Sequence, residues 1–282
     1  MESGLKVVSG GSDKTIRVWE HNQVIQDTSE VACLVISKDF IVSGNWEGTI
    51  KLWNPLTGEL LKQLQGHTDK IKSLAISGNL LVSGSCDKTI GVWDLVTGER
   101  TGVLEGHSDW VHSVAISNKE NFIVSGSRDC SIRIWNVGYE TKVLEGNFGV
   151  VLSVAISSKD DFIVSGSKDC KIRVVGITDG KIQVLSGHTS SVCSVVVSSK
   201  DEFIVSGSTD KTIRLWSILG EQLKLFEGHT GPVTSISIWN GYLVSGGGDR
   251  DQTVRTWSLE TQEQLQVLRG HTGHVYSVKL TY

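Results

Sequence analysis

Proline is almost missing from this chain, with 2 residues in 282 against 31 glycines. Its many tight turns are therefore made with Gly, Asp and Asn. Basic blocks are missing too, and the formal net charge is -4. Binders of duplex nucleic acid usually carry a basic stripe, so duplex nucleic acid is not an expected partner. No apolar run approaches the length of a membrane span, so no membrane partner is expected. The opening segment Met1-Glu2-Ser3-Gly4-Leu5-Lys6 lacks the long apolar stretch of a signal peptide, and no Asn-x-Ser/Thr sequon occurs. The five cysteines, Cys33, Cys86, Cys130, Cys170 and Cys193, are odd in number and never form a Cys-x-x-Cys pair. That usage fits reduced thiols in a cytoplasmic or nuclear, non-secreted protein. A hydrophobic content of 39% and a charged content of 21% are ordinary for a soluble globular protein.

What is present is a repeat. A turn-and-strand unit recurs seven times, with a good late copy in Ser206-Gly207-Ser208-Thr209-Asp210-Lys211-Thr212-Ile213-Arg214-Leu215-Trp216. Gly-His pairs end at His67, His107, His188, His229 and His271, at spacings of 40, 81 (two units), 41 and 42 residues. A third-strand aromatic recurs at Trp19, Trp53, Trp93, Trp135, Trp216 and Trp257, and Val175 fills the remaining slot. In the unit from Gly187 to Glu227, four short runs are rich in β-branched or aromatic residues and bounded by turn residues. They are Val192–Val197, Phe203–Gly207, Thr212–Trp216 and Gln222–Phe226. A period of about 40 residues predicts a closed or stacked array of such units, an architecture that mostly holds partners. Cys130 and Cys170 share one slot in successive units, which reads as repeat ancestry and not as a disulfide or metal pair.

These in-phase units resemble the WD40-repeat (β-transducin-like) β-propeller family from end to end. The resemblance implies an all-β fold of seven four-stranded blades around a channel. The chain starts on a second-strand pattern, Leu5–Gly10, and ends on a first-strand pattern, Val275–Leu280. The C-terminal strand is therefore expected to pair with the N-terminal three, leaving no open edge. The expected blades are residues 271–282 with 1–26, then 27–65, 66–105, 106–145, 146–186, 187–227 and 228–270. A closed ring of this kind is expected to be monomeric. No segment outside the ring is expected, and hence no F-box, coiled coil or catalytic domain.

His, Ser and Asp recur together, the residue types of a hydrolytic triad. An antiparallel blade puts the turn before strand one and the turn after strand two at the same end. In WD40 domains such residues resemble a structural tetrad in which Asp and Ser bind the His and the His binds the Trp indole. The tetrads are His67, Ser83, Asp87 and Trp93; His107, Ser125, Asp129 and Trp135; His188, Ser206, Asp210 and Trp216; and His271, Ser9, Asp13 and Trp19. An enzyme needs one such site, not four copies, so no catalytic residue is assigned and no enzyme activity, cofactor or metal is expected. Two units depart from the pattern. Asp27 and Glu47 replace His and Asp in the second blade, while Asn147 and Val175 replace His and Trp in the fifth, so these blades are expected to be the least rigid. The seventh blade carries two extra residues within Gly246–Gln252, so its turn is expected to protrude.

In this family partners often bind at the channel mouth on the face of the Gly-His and Asp turns. The resemblance places three positions per blade there. They are Glu30, Ala32 and Trp46; Lys70, Lys72 and Cys86; Trp110, His112 and Arg128; Val150, Leu152 and Lys168; Ser191, Cys193 and Thr209; Pro232, Thr234 and Gly248; and His274, Tyr276 and Ser12. Four cations and one acid give these slots a charge of +3 and leave -7 on the remainder. The expected ligand is an acidic or phosphorylated protein segment, bound by Lys70, Lys72, Arg128 and Lys168 with Trp46, Trp110 and Tyr276 as contact surface. His112 and His274 are expected to add positive charge below about pH 6.5. Cys86 and Cys193 read as packed thiols. The leading expectation is a protein-interaction scaffold; a ubiquitin-ligase substrate receptor and an RNA-binding propeller are the alternatives. Some receptors of this family carry Trp-Asp-x-Arg after strand three, whereas the one Trp-Asp here runs Trp93-Asp94-Leu95-Val96.

Overall fold

Short β-branched runs joined by tight turns can only return antiparallel, and each unit of this chain does so. The computed structural model describes residues 6–136, 141–144 and 148–281. These form seven four-stranded antiparallel sheets. One sheet is built from Val192–Val197, Phe203–Ser208, Ile213–Ser217 and Gln222–Phe226, ordered from the channel to the rim. The innermost strand of each sheet packs on the innermost strand of the next, and the series returns to its start.

Closure is made by the two ends of the chain. Val275–Thr281 pairs antiparallel with Lys6–Gly11, with Lys6 opposite Thr281 and Ser9 opposite Val278. Thr15–Val18 and Gln23–Gln26 complete that sheet. Trp19 falls just past the third strand, in the 3-10 turn Trp19–His21.

The core lies between the blades. A hydrophobic cluster fills each of the seven interfaces; the one sealing the ring joins Val7 to Val244, Val254, Val275 and Val278. Close approach depends on the Gly of the repeated Ser-Gly step. A Cβ on Gly207 would lie 2.7 Å from Val233 Cγ1 of the next blade. Only glycine leaves room for the neighbouring inner strand there.

Two further features shape the channel. Each inner strand carries a β-bulge, which leaves Ala32, Lys72, His112, Leu152, Cys193, Thr234 and Tyr276 unpaired. A bulge re-aims its side chain, and all seven of these residues line the channel. One residue on, a serine hydroxyl accepts a hydrogen bond from the backbone N–H of the following blade. Ser113 accepts from Val154 at 3.0 Å and Ser277 from Leu34 at 3.1 Å. The serine belt is interrupted at Cys33 in the second blade.

Candidate functional site at the channel mouth

The recurring His, Ser, Asp and Trp residues meet as four hydrogen-bonded sets. In the blade of His67, Nδ1 lies 2.7 Å from Asp87 Oδ2 and Nε2 lies 2.7 Å from Ser83 Oγ, while Trp93 Nε1 donates to Ser83 Oγ at 2.8 Å. His107 and His188 repeat this with Asp129, Ser125 and Trp135 and with Asp210, Ser206 and Trp216. His271 reaches across the closure to Asp13 and Ser9, and Trp19 donates to Ser9 from its 3-10 turn. The indole therefore binds the serine, whereas the resemblance had implied that it binds the His. Both imidazole nitrogens are already engaged, one by the carboxylate and one by the serine, so the serine oxygen is the acceptor left for the indole.

Each Asp is also fastened within its own turn. Asp210 Oδ1 accepts from Thr212 Oγ1 at 2.6 Å and from Thr212 N at 2.9 Å. Burial alone would raise the Asp210 carboxyl, but hydrogen bonds from Thr212, His188 and Thr189 outweigh it and hold the group down to about 2. Asp13, Asp87 and Asp129 are held well below the usual carboxylate range by the same opposition of burial and hydrogen bonds. Every polar group in these sets is spent on a neighbour in its own blade. An open nucleophile or base is not what the arrangement provides.

A fifth set, which the sequence reading did not assemble, occupies the seventh blade. His229 Nε2 lies 2.6 Å from Ser245 Oγ and Nδ1 lies 3.1 Å from Asp251 Oδ2, with Trp257 donating to Ser245 at 2.9 Å. The two extra residues had hidden Asp251 by shifting it along the chain. In the second blade a buried ion pair fills the place of the His: Lys51 Nζ lies 2.5 Å from Asp27 Oδ1 and 2.8 Å from Thr28 Oγ1. Glu47 reaches only Thr28, at 3.5 Å. Lys51 was not legible as part of this set because a third-strand Lys reads as surface charge. In the fifth blade Asn147 lies outside the described residues, Val175 is buried, and Asp169 turns to a bidentate pair with Arg173 at 2.6 and 3.2 Å.

The mouth positions form a ring of backbone rungs. In every blade the residue two places after the glycine of the Ser-Gly step donates its N–H to the carbonyl of the residue before strand one, as Arg128 does to Trp110 at 2.9 Å and Lys168 to Val150 at 2.9 Å. The seventh blade keeps this rung, with Gly248 N 2.7 Å from Pro232 O, so its insertion falls afterwards at Asp249 and Arg250. Asp249 pairs with His274 Nε2 of the adjoining blade.

On this ring the side chains are unevenly distributed. His274 stacks on Tyr276 at 5.5 Å, Tyr276 stacks on Trp46 at 5.9 Å, and Lys70 Nζ sits 3.8 Å from the Trp46 ring centre. In the fourth blade Arg128 lies 4.6 Å over Trp110, whose ring meets His112 edge-on at 6.1 Å. Lys168 is exposed in the fifth. The sixth and seventh blades present only Ser191, Cys193, Thr209, Pro232, Thr234 and Gly248, none of them charged. The cations and aromatics thus form an arc over the first to fifth blades.

Neighbouring acids trim the charge of this arc. Asp109 Oδ2 lies 3.6 Å from Arg128, Asp69 caps the backbone N–H of Lys70 at 2.7 Å, and Glu30 accepts from the Tyr276 hydroxyl at 3.3 Å. Burial first, then Glu30, pushes the Tyr276 phenol up to about 12, so it stays a neutral donor. Lys70, Lys72 and Lys168 have no carboxylate partner within ion-pair distance among the described residues. His112 does not add the positive charge expected of it. Burial, followed by the nearby Lys72 and Arg128 cations, pushes its imidazole down to about 4. Cys86 and Cys193 are packed thiols that burial pushes up, and Cys193 Sγ lies 3.3 Å from Thr209 Oγ1. Among the described residues no helix is long and apolar enough to cross a membrane.

The family profile described as WD domain, G-beta repeat matches residues 2–20, 22–54, 58–94, 98–136, 138–175, 180–217 and 220–258. Most of these matches begin at or near the outermost strand of one blade and end at the close of the third strand of the next, so one repeat ties two sheets together. A curated relative, Autophagy-related protein 16 of Arabidopsis thaliana, is 30% identical over 73 residues. The match covers 23% of this chain and 14% of that protein. With seven repeat matches laid on seven four-stranded sheets that close into a ring, the chain belongs to the WD40 repeat family.

Proposed function

We propose that this ring is a non-enzymatic scaffold that takes an acidic or phosphorylated segment of a partner protein across its channel mouth. A WD40 propeller supports a protein-interaction role in general; the finer reading rests on the uneven ring of side chains. One observation carries it: Lys70 lies against Trp46 and Arg128 over Trp110, while Lys70, Lys72 and Lys168 have no carboxylate partner among the described residues. Ammonium groups held on rigid aromatic faces give a segment both charge and contact area. The tetrads hold the mouth loops in place beneath them and take no direct part in binding.

Titration of an Asp/Glu-rich peptide, its phosphorylated counterpart, a basic peptide and a labelled single-stranded RNA at two salt concentrations tests this. The acidic peptides should bind best, lose affinity with salt, and lose more in the triple variant Lys70→Glu, Lys72→Glu, Arg128→Glu. Equal binding of acidic and basic peptides at low salt would end the reading. Preference for RNA over both would replace it with a nucleic-acid role.

A further inference from the structure

Below the mouth the channel changes character. Its cavity measures about 360 Å³, and no Asp or Glu lines it among the described residues. Two lysines do: Lys72, from the bulge of the third blade, and Lys279, from the closing strand of the first. They stand on either side of Cys33 in the second blade, and both ammonium groups act on its thiol. Neither has an ion-pair partner among the described residues. At the height of Lys279 the fourth, fifth and sixth blades present Ala115, Ala155 and Val196, so this charge is foreign to the repeat.

Hydrogen-bond supply in the channel is one-sided as well. The belt serines accept backbone N–H groups, as Ser113 and Ser277 do. Having accepted, each keeps an O–H to donate. Donors and cations thus face a cavity whose lining side chains include no carboxylate. An ammonium without a counter-charge in a narrow channel is costly, and desolvation pushes the half-buried Lys279 down accordingly.

We propose that the channel is a binding site for a small free oxyanion of the phosphate type, held between Lys72 and Lys279 and hydrogen-bonded by the serine belt. Lysine binds phosphate as a point charge and needs no planar fork. A free anion fits better than a side chain of the partner segment. Lys279 lies three strand residues below Tyr276 at the mouth, or about 10 Å. That is deeper than an Asp, Glu or phosphoserine side chain reaches from a backbone lying across the mouth. This site does not rest on the peptide reading.

Inorganic phosphate and pyrophosphate are the probes, titrated by calorimetry and by thermal melting into the full chain, with chloride as the competing anion. Wild type should show saturable binding and a melting temperature that rises with probe concentration. Lys279→Met, which keeps the chain length without the charge, should bind about tenfold more weakly or not at all. It should also melt no lower than wild type without the probe. Should that variant fail to fold, Lys72→Met gives the same readout from the other side. Absence of saturable binding to wild type, or equal binding by wild type and Lys279→Met, would overturn the proposal. So would a tenfold loss of acidic-peptide affinity in Lys279→Met, since the channel would then be filled by the partner itself. The double variant Lys70→Glu, Arg128→Glu, which keeps both channel lysines, should lose acidic-peptide affinity and still bind phosphate as wild type does. Loss of phosphate binding in it would place the anion at the mouth and overturn the proposal.

Discussion

A tryptophan such as Trp216 does two things at once. Its ring is 2% exposed within the interface between the fifth and sixth blades, and its N–H donates to Ser206. Trp216→Ala removes the ring and leaves a cavity, so a loss of about 3–5 kcal/mol is expected in denaturant unfolding. Wild-type stability in that variant would contradict the staple. Titration gives a second expectation. The His112 imidazole sits at about 4 in the fold against about 6.5 when free, and burial pushes His188 down too despite Asp210. The unfolded chain therefore takes up protons from pH 6.5 downward that the folded chain refuses. Stability should be full above that pH and fall as pH drops toward 4. Asp210, at about 2 in the fold against about 3.9 when free, continues the decline from pH 4 toward 2. Unfolding midpoints at pH 7.5, 5.5 and 3.5 should descend in that order; a maximum at pH 5.5 would contradict the assignment.

At the scale of the blade, the second sheet shows how a repeat survives without its histidine. Asp27 and Lys51 form a buried pair with side chains 0% and 5% exposed. Lys51→Met strands a buried carboxylate and should cost about 3–5 kcal/mol, read by chemical unfolding. An unchanged midpoint would mean that the pair holds nothing. Strand positions in this protein were legible because alternation is a local signal. The runs read as Val192–Val197 and Gln222–Phe226 have those bounds in the structure, and Ile213–Ser217 differs by one residue at each end. Contacts between strands were less legible. Lys51 reads as a solvated charge until Asp27 is seen beside it, and the serine belt reads as polar filler until the next blade supplies its N–H. The direction of the Trp bond was hidden for a related reason: the spacing brings Ser, His and Trp together without saying which acceptor is already occupied. Bulge positions such as Lys72 and Tyr276 were placed through family resemblance, since nothing local marks the unpaired residue. The burial that holds His112 neutral above about pH 4 comes from packing around the channel and has no counterpart in the string of residues.

Taken as a whole, the ring is sealed by one strand. The segment 271–281 supplies the inner strand Val275–Thr281 of the first blade, the His271 of its tetrad and the Val275 and Val278 of its interface. Deleting residues 270–282 should expose Lys6–Gly11 as an edge and leave an open, aggregating chain, seen by light scattering and a lowered melting temperature. A truncated protein that stays monomeric with unchanged melting would contradict closure. The closed ring separates two kinds of polar residue: those consumed in holding blades together, and those left free at the mouth. The most direct test measures acidic-peptide affinity and melting temperature side by side in Ser206→Ala and in the Lys70, Lys72, Arg128 charge-reversal variant. The expected result is a lowered melting temperature with retained affinity in the first, and retained melting with lost affinity in the second. Lost affinity without destabilisation in Ser206→Ala, or wild-type affinity in the charge-reversal variant, would contradict it.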